Sequence, residues 1–132
     1  MRLASTRLIV SDINAAVSFY ELVTDTAADW LAPVFAEIVT PGATLAIGAA
    51  ETVGLFMAGT ATPGANRSAI LEFLVDDIDA EFSRLKSNVE VVHEPKLLPW
   101  GNRTFQLRDP EGTLVSLFMP ATEEARARFG SR

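Results

Sequence analysis

The sequence predicts an α+β domain made of two βαβββ modules, and three observations lead there. The chain has 132 residues, 48% of them hydrophobic and eight of them Phe, enough for one domain with a sizeable core. It repeats itself: Val10-Ser11-Asp12-Ile13-Asn14-Ala15-Ala16-Val17-Ser18 lies on Val75-Asp76-Asp77-Ile78-Asp79-Ala80-Glu81-Phe82-Ser83 at an offset of 65. In the same order, Thr40-Pro41-Gly42-Ala43-Thr44-Leu45 resembles Asp109-Pro110-Glu111-Gly112-Thr113-Leu114 at an offset of 69. Each half also opens with a run of β-formers that stops at acidic residues and gives way to helical spacing.

Taken in order, Leu8–Val10 and Ile70–Val75 are the opening strands. Asp12 and Asp77 follow as helix N-caps, whose carboxylates accept the free N–H groups of a first turn. The helices run from about Ile13 to Val23, with Ile13, Val17, Tyr20 and Val23 near one face, and from about Ile78 to Ser87, with Ile78, Phe82 and Leu85. Three strands follow each helix: about Asp29–Leu31, Phe35–Val39 and Thr44–Ile47, then Val89–His93, Thr104–Arg108 and Thr113–Phe118. Thr40-Pro41-Gly42 and Asp109-Pro110-Glu111-Gly112 turn the last pairs, Pro presetting φ and Gly tolerating φ > 0. Module one thus covers about 3–48, a Gly-, Ala- and Thr-rich linker 49–67, module two 68–118, and a tail 119–132. A short strand is expected at Val53–Met57 and a terminal helix over Glu123–Phe129.

Seventeen acids against eleven bases give a net charge of −6, which argues against a nucleic-acid or anionic-membrane partner, since neutralising phosphates needs clustered Lys and Arg. With no cysteine, the chain holds no disulfide, thiolate zinc site or cysteine nucleophile. Charges interrupt Met1–Arg7 and no apolar run approaches 18 residues, so neither a signal peptide nor a membrane span is visible and a cytoplasmic protein is expected. Gly-rich phosphate motifs are absent, and one histidine builds no catalytic triad. Asp76, Asp77 and Asp79 are explained by helix capping and the helix dipole rather than by calcium.

Two such modules resemble the vicinal oxygen chelate superfamily, which includes glyoxalase I, extradiol dioxygenases and bleomycin-resistance proteins. The likeness is carried by Val10-Ser11-Asp12 leading to Ser18-Phe19-Tyr20 and by Phe73-Leu74-Val75-Asp76-Asp77. Pro99-Trp100-Gly101-Asn102-Arg103-Thr104-Phe105, followed by Asp109-Pro110-Glu111-Gly112-Thr113-Leu114, is similar to the bleomycin-resistance branch. The resemblance implies sheets curved into a half-barrel, with helices outside and a cavity inside. It also implies metal ligands seven residues before the Asp closing each first strand and seven after the Asp of the Asp-Pro turn. Those positions hold Ser5, Ile70 and Ser116, and the offset of 69 adds Ile47. Isoleucine has no donor atom and a neutral hydroxyl is a poor ligand for a divalent transition metal, so no metal, no other cofactor and no catalytic residue is assigned.

Strand alternation then places Ser5, Arg7, Ile9, Ile70, Glu72 and Leu74 toward the cavity, with Arg7 and Glu72 as repeat equivalents. Candidate ligand-binding residues are Trp30, Phe35, Glu37, Glu72, Trp100, Arg103, Ser116 and Phe118. Trp30 and Trp100 offer stacking surfaces, with loop closure or a subunit contact as the plainer reading. Arg103 either binds an anionic group or ties down its loop. His93 either acts as a base or lone ligand or ends a strand beside Glu94, and no ligand position of the family maps onto it. The expectation is a protein that binds a small organic molecule, an antibiotic or a metabolite, in a metal-free cavity and sequesters it. Its relatives imply a homodimer, and the apolar Lys96–Trp100 loop suits a dimer contact or the pocket rim. The alternative is a lyase, isomerase or dioxygenase of the same superfamily with an unrecognised active site.

Overall fold

The computed structural model describes residues 1–130, and Asp12 and Asp77 begin its two main helices in the same way. Each holds an extended backbone while its Oδ1 accepts from the N–H three residues on, Ala15 and Ala80 respectively, at 3.1 Å. The helices they cap are α1 (Ile13–Thr24) and α2 (Ile78–Leu85). Asp25, left-handed at φ 49°, ends α1, and Thr24 Oγ1 donates to the Tyr20 carbonyl in its last turn.

The chain divides into two units, one of residues 1–66 with 110–112, the other of 67–109 and from Thr113 on. In the first, β1 (Ser5–Val10), β2 (Asp29–Ala32), β3 (Phe35–Thr40) and β4 (Ala43–Ala49) form a sheet of order β1-β4-β3-β2. In the second, β5 (Leu71–Leu74), β6 (Glu90–Leu97), β7 (Asn102–Arg108) and β8 (Leu114–Pro120) repeat that order as β5-β8-β7-β6. The opening strand of each unit lies parallel to its last strand, and every other pair is antiparallel. The two βαβββ modules are therefore present. A terminal helix, α3 (Glu123–Gly130), packs on β8; the last two residues of the expected tail lie outside the described residues.

One face of each sheet makes the core. In the first unit, Leu8, Val10, Ala36, Ile38, Leu45 and Ile47 are buried together with Val17, Tyr20 and Val23 of α1, which packs on β3 and β4. In the second, Phe105, Leu107, Val115 and Leu117 lie under α2, where Phe82 meets Phe105 edge-on at 5.2 Å.

The linker strand expected at Val53–Met57 is not formed. Ala50–Leu55 coils instead into a 3₁₀ turn in which the buried Thr52 hydroxyl donates to the Ala49 carbonyl at 2.7 Å. This local bond competes with any ladder. The turn leaves Leu55, Phe56 and Met57 exposed.

Candidate functional site

Strand register sorts the side chains on the face of each sheet that α1 or α2 leaves open. In the first unit the cross-strand rows there are Ile9–Gly48–Phe35 and Arg7–Ala46–Glu37, the latter continuing to Asp29. The central strand β4 contributes only Ala46 and Gly48 to these rows, so the floor is low and a long side chain can lie across it. Arg7 does so: a Cβ placed on Gly48 would stand 3.9 Å from its Cδ. The guanidinium carbon then sits 4.3 Å from the Phe35 ring centre and 5.6 Å from that of Phe56. Glu37, half-buried, shares the row of Arg7 but makes no ion pair with it.

The equivalent row in the second unit is Glu72–Ser116–Gln106–His93, flanked by Leu74–Phe118–Thr104–Lys96. Here the centre is filled. Ser116 is 1% exposed and its hydroxyl accepts from Gln106 Nε2 at 2.9 Å. Phe118, 7% exposed, lies 5.2 Å from the Phe129 ring of α3. Glu72 remains exposed, as do Ile70 and Leu74. His93 is half-buried, with Nδ1 2.8 Å from the Glu94 carbonyl.

The remaining candidates lie off these rows. Trp30 pairs with the fully buried Ala36, so it belongs to the α1 side of β2, where it lines an open groove of about 620 Å³ with Asn14 and Pro33. That separates it from Phe35 and Glu37, with which the sequence grouped it. Arg103 alternates with Phe105 and turns toward α2, where Nη2 meets Asp79 Oδ1 at 2.8 Å and Nε meets Oδ2 at 3.3 Å. Hydrogen bonding to Arg103 holds the Asp79 carboxyl below its ordinary value, and the same bond raises Arg103. The guanidinium is thus engaged by a carboxylate of α2. Trp100 stands exposed on the β6–β7 loop, its carbonyl accepting from Arg128 at 3.3 Å.

The metal positions need one correction. Ile47 pairs with Leu8 and is fully buried on the α1 side, so it faces away from the open face. The residue matching Ser116 is Ala46, which pairs with Arg7 as Ser116 pairs with Glu72. The set is thus Ser5 and Ala46 in one unit and Ile70 and Ser116 in the other. Two members have no donor atom and the Ser116 hydroxyl is engaged by Gln106, so these residues do not fit a divalent metal. Among the described residues no three of His, Cys, Asp and Glu cluster to replace them. Strand alternation alone puts Arg7 on the open face, but, the small residues at 46 and 48 aside, nothing in the sequence pattern singles out Arg7 or Phe56 as meeting there.

A family model described as "Glyoxalase/Bleomycin resistance protein/Dioxygenase superfamily" matches residues 2–117. Among solved structures, a glyoxalase/bleomycin resistance protein/dioxygenase family enzyme from Burkholderia phytofirmans PsJN matches at 19% identity and a TM-score of 0.79, over 91% of this chain and 99% of that one. A glyoxalase/bleomycin resistance protein/dioxygenase from Nocardioides matches at 22% identity and 0.76, over 93% and 85%. A protein of unknown function from Agrobacterium tumefaciens matches at 27% identity and 0.77, over 90% and 94%. No curated protein matches. No helix among the described residues is long and apolar enough to cross a membrane.

Proposed function

We propose a function from one premise: the chain belongs to the Glyoxalase/Bleomycin resistance protein/Dioxygenase superfamily. It binds a small organic molecule, an antibiotic or a metabolite, without metal, and sequesters it rather than transforming it. The observation that carries this reading is chemical: the positions where the family's ligands are expected hold Ser5 and Ala46 in the first unit and Ile70 and Ser116 in the second, and the open face of the first unit's sheet keeps Arg7, Phe35 and Glu37. Apolar surface with a few polar groups suits an organic ligand better than a bare ion. Glu72 and Trp100, both exposed, remain candidate contacts from the second unit. A homodimer belongs to the same reading, because Leu97 and Trp100 of the β6–β7 segment stand 59% and 58% exposed.

Metal content is the first test. Untagged protein offered nickel, zinc, manganese and ferrous iron, then desalted, should retain far less than one ion per chain. A broad screen of small organic compounds should then find one that raises Tm, because a ligand of the folded state at 100 times its Kd adds about 2.7 kcal/mol to stability. Stoichiometric metal, or turnover of a hemithioacetal or catechol, would overturn the reading in favour of a superfamily enzyme.

A further inference from the structure

We infer that α3 is a hinged cover on the second unit's sheet, and that its Phe129 holds, against Phe118, the place of an aromatic ring of a ligand. This rests on the small-molecule reading above and adds how one face is closed and what opens it. Register puts Phe118 opposite Leu74 and Thr104, on the face that α2 leaves open. Leu74 is 56% exposed there, whereas Phe118 is only 7% exposed, with the Phe129 ring 5.2 Å away at a tilt of 51°. The covering group is an aromatic side chain of the protein itself, delivered from the last turn of its terminal helix. An incoming ring that takes the same contact has to displace it.

The attachment of α3 is light. Ala125 is the one buried residue of Glu123–Gly130, seated beside Gly101, where an added Cβ would stand 3.0 Å from its own. Arg128 Nη2 donates to the Trp100 carbonyl at 3.3 Å in a solvent-exposed bond. β8 already has β5 and β7 as ladder partners, so the departure of α3 breaks no sheet hydrogen bond. Just before the helix, the Ala121 N–H stays tied to the Gly101 carbonyl at 2.8 Å, which fixes the hinge. The ring also has somewhere to go: a groove of about 400 Å³ beside it is lined by Leu74, Pro120, Arg126 and Phe129 itself. On the same face Asn102, paired with Pro120, keeps its Oδ1 buried with no hydrogen-bond partner among the described residues. A buried acceptor left unmet penalises the closed arrangement relative to any opening that lets water reach it. A helix of eight residues does not persist alone in water, so α3 loses its structure when it lifts and its amides exchange.

Native-state hydrogen exchange on the full chain tests the hinge. The Arg126 amide, bonded to the Thr122 carbonyl at 2.9 Å, should exchange at least a hundredfold faster than those of Phe105 and Leu117, at a rate that low urea leaves unchanged. Toluene, a bare ring, tests the place that Phe129 holds. Phe129→Ala should bind toluene at least tenfold more tightly than the wild type. Because that change also cuts a hole, Ala125→Gly is the second variant: it keeps the Phe129 ring, loosens the helix about fivefold, and should tighten toluene by a similar factor. Toluene bound to Ala125→Gly should in turn speed Arg126 exchange, since it selects the open form. Arg126 exchange that matches Phe105 and Leu117 in rate and urea dependence would overturn the inference. So would toluene tightened by Phe129→Ala but not by Ala125→Gly, by neither variant, or bound without speeding Arg126 exchange. The small-molecule reading fails separately, through retained metal or turnover, and survives a closed α3 if the broad screen finds a ligand.

Discussion

Arg7 and Arg103 show how a neighbour decides what one side chain does. Arg103 points toward α2, and Asp79 in the first turn of that helix reaches it with two hydrogen bonds. Arg7 points across small residues and finds rings. For the paired case the consequence is a titration. The Asp79 carboxyl is lowered by its bond to Arg103, so the pair's contribution is complete above the ordinary carboxylate range and is lost as pH falls through the lowered value. Both partners are solvent-exposed, so the gain in stability is small and the titration is the sensitive readout. Carbon-detected NMR should find Asp79 titrating below the ordinary aspartate value of about 3.9. Arg103→Gln should return it to that value with little change in Tm. An Asp79 that titrates identically in both proteins would show that the pair does not persist in solution.

At the scale of elements, the two helix starts were legible because a capping aspartate announces itself in sequence. The same is true of the Pro-Gly turns. The register of the second hairpin was not. From Glu37 to Ala46 the chain takes nine steps between paired rows, and from Gln106 to Ser116 it takes ten, so one offset carried through the turn lands on Ile47 instead of Ala46. A turn's residue types do not reveal how many residues the ladder skips, and a slip of one moves a side chain to the other face. The packing of α3 was equally hidden. Nothing in Glu123–Phe129 says that Phe129 will cover Phe118, yet that contact removes Phe118 from the open face. Gly101 is part of the same device. It holds φ +93°, its carbonyl accepts from the Ala121 N–H at 2.8 Å, and a Cβ there would strike Thr122 Oγ1 and approach Ala125 Cβ to 3.0 Å. Gly42 holds a similar φ of +88° with open space around it. Gly42→Ala should therefore cost only the left-handed penalty of about 1–2 kcal/mol, and Gly101→Ala clearly more, as measured by urea denaturation. Equal costs would mean that the start of α3 yields to the added methyl.

For the molecule as a whole, the exposed apolar residues call for an explanation that the core does not provide. Sequence composition foretold a chain rich enough in apolar residues for a core, and that core forms under α1 and α2. Left outside are Leu97 and Trp100 on the β6–β7 segment, Trp30 and Leu31 on β2, and Leu55, Phe56 and Met57 after the 3₁₀ turn. Single exposed apolar residues are ordinary, but groups of them mark surfaces that something covers. The net charge of −6 opposes indiscriminate association, so a specific partner is favoured over aggregation. A second copy is the partner proposed for Leu97 and Trp100, because large aromatic and aliphatic side chains anchor interfaces and the loop carries both close together. Trp100 also suits a test, since its backbone is fixed by the turn at Gly101 and by Arg128 while its ring is free to be removed. Sedimentation equilibrium at micromolar concentration should find a dimer. Trp100→Ala should raise the dimer dissociation constant at least tenfold with Tm, read on the monomer at low concentration, nearly unchanged. A monomeric wild-type chain would end the dimer proposal and leave this loop to the ligand. A variant that dimerises as well as the wild type would move the interface elsewhere, with β2 and the segment after the 3₁₀ turn as the surfaces to substitute next.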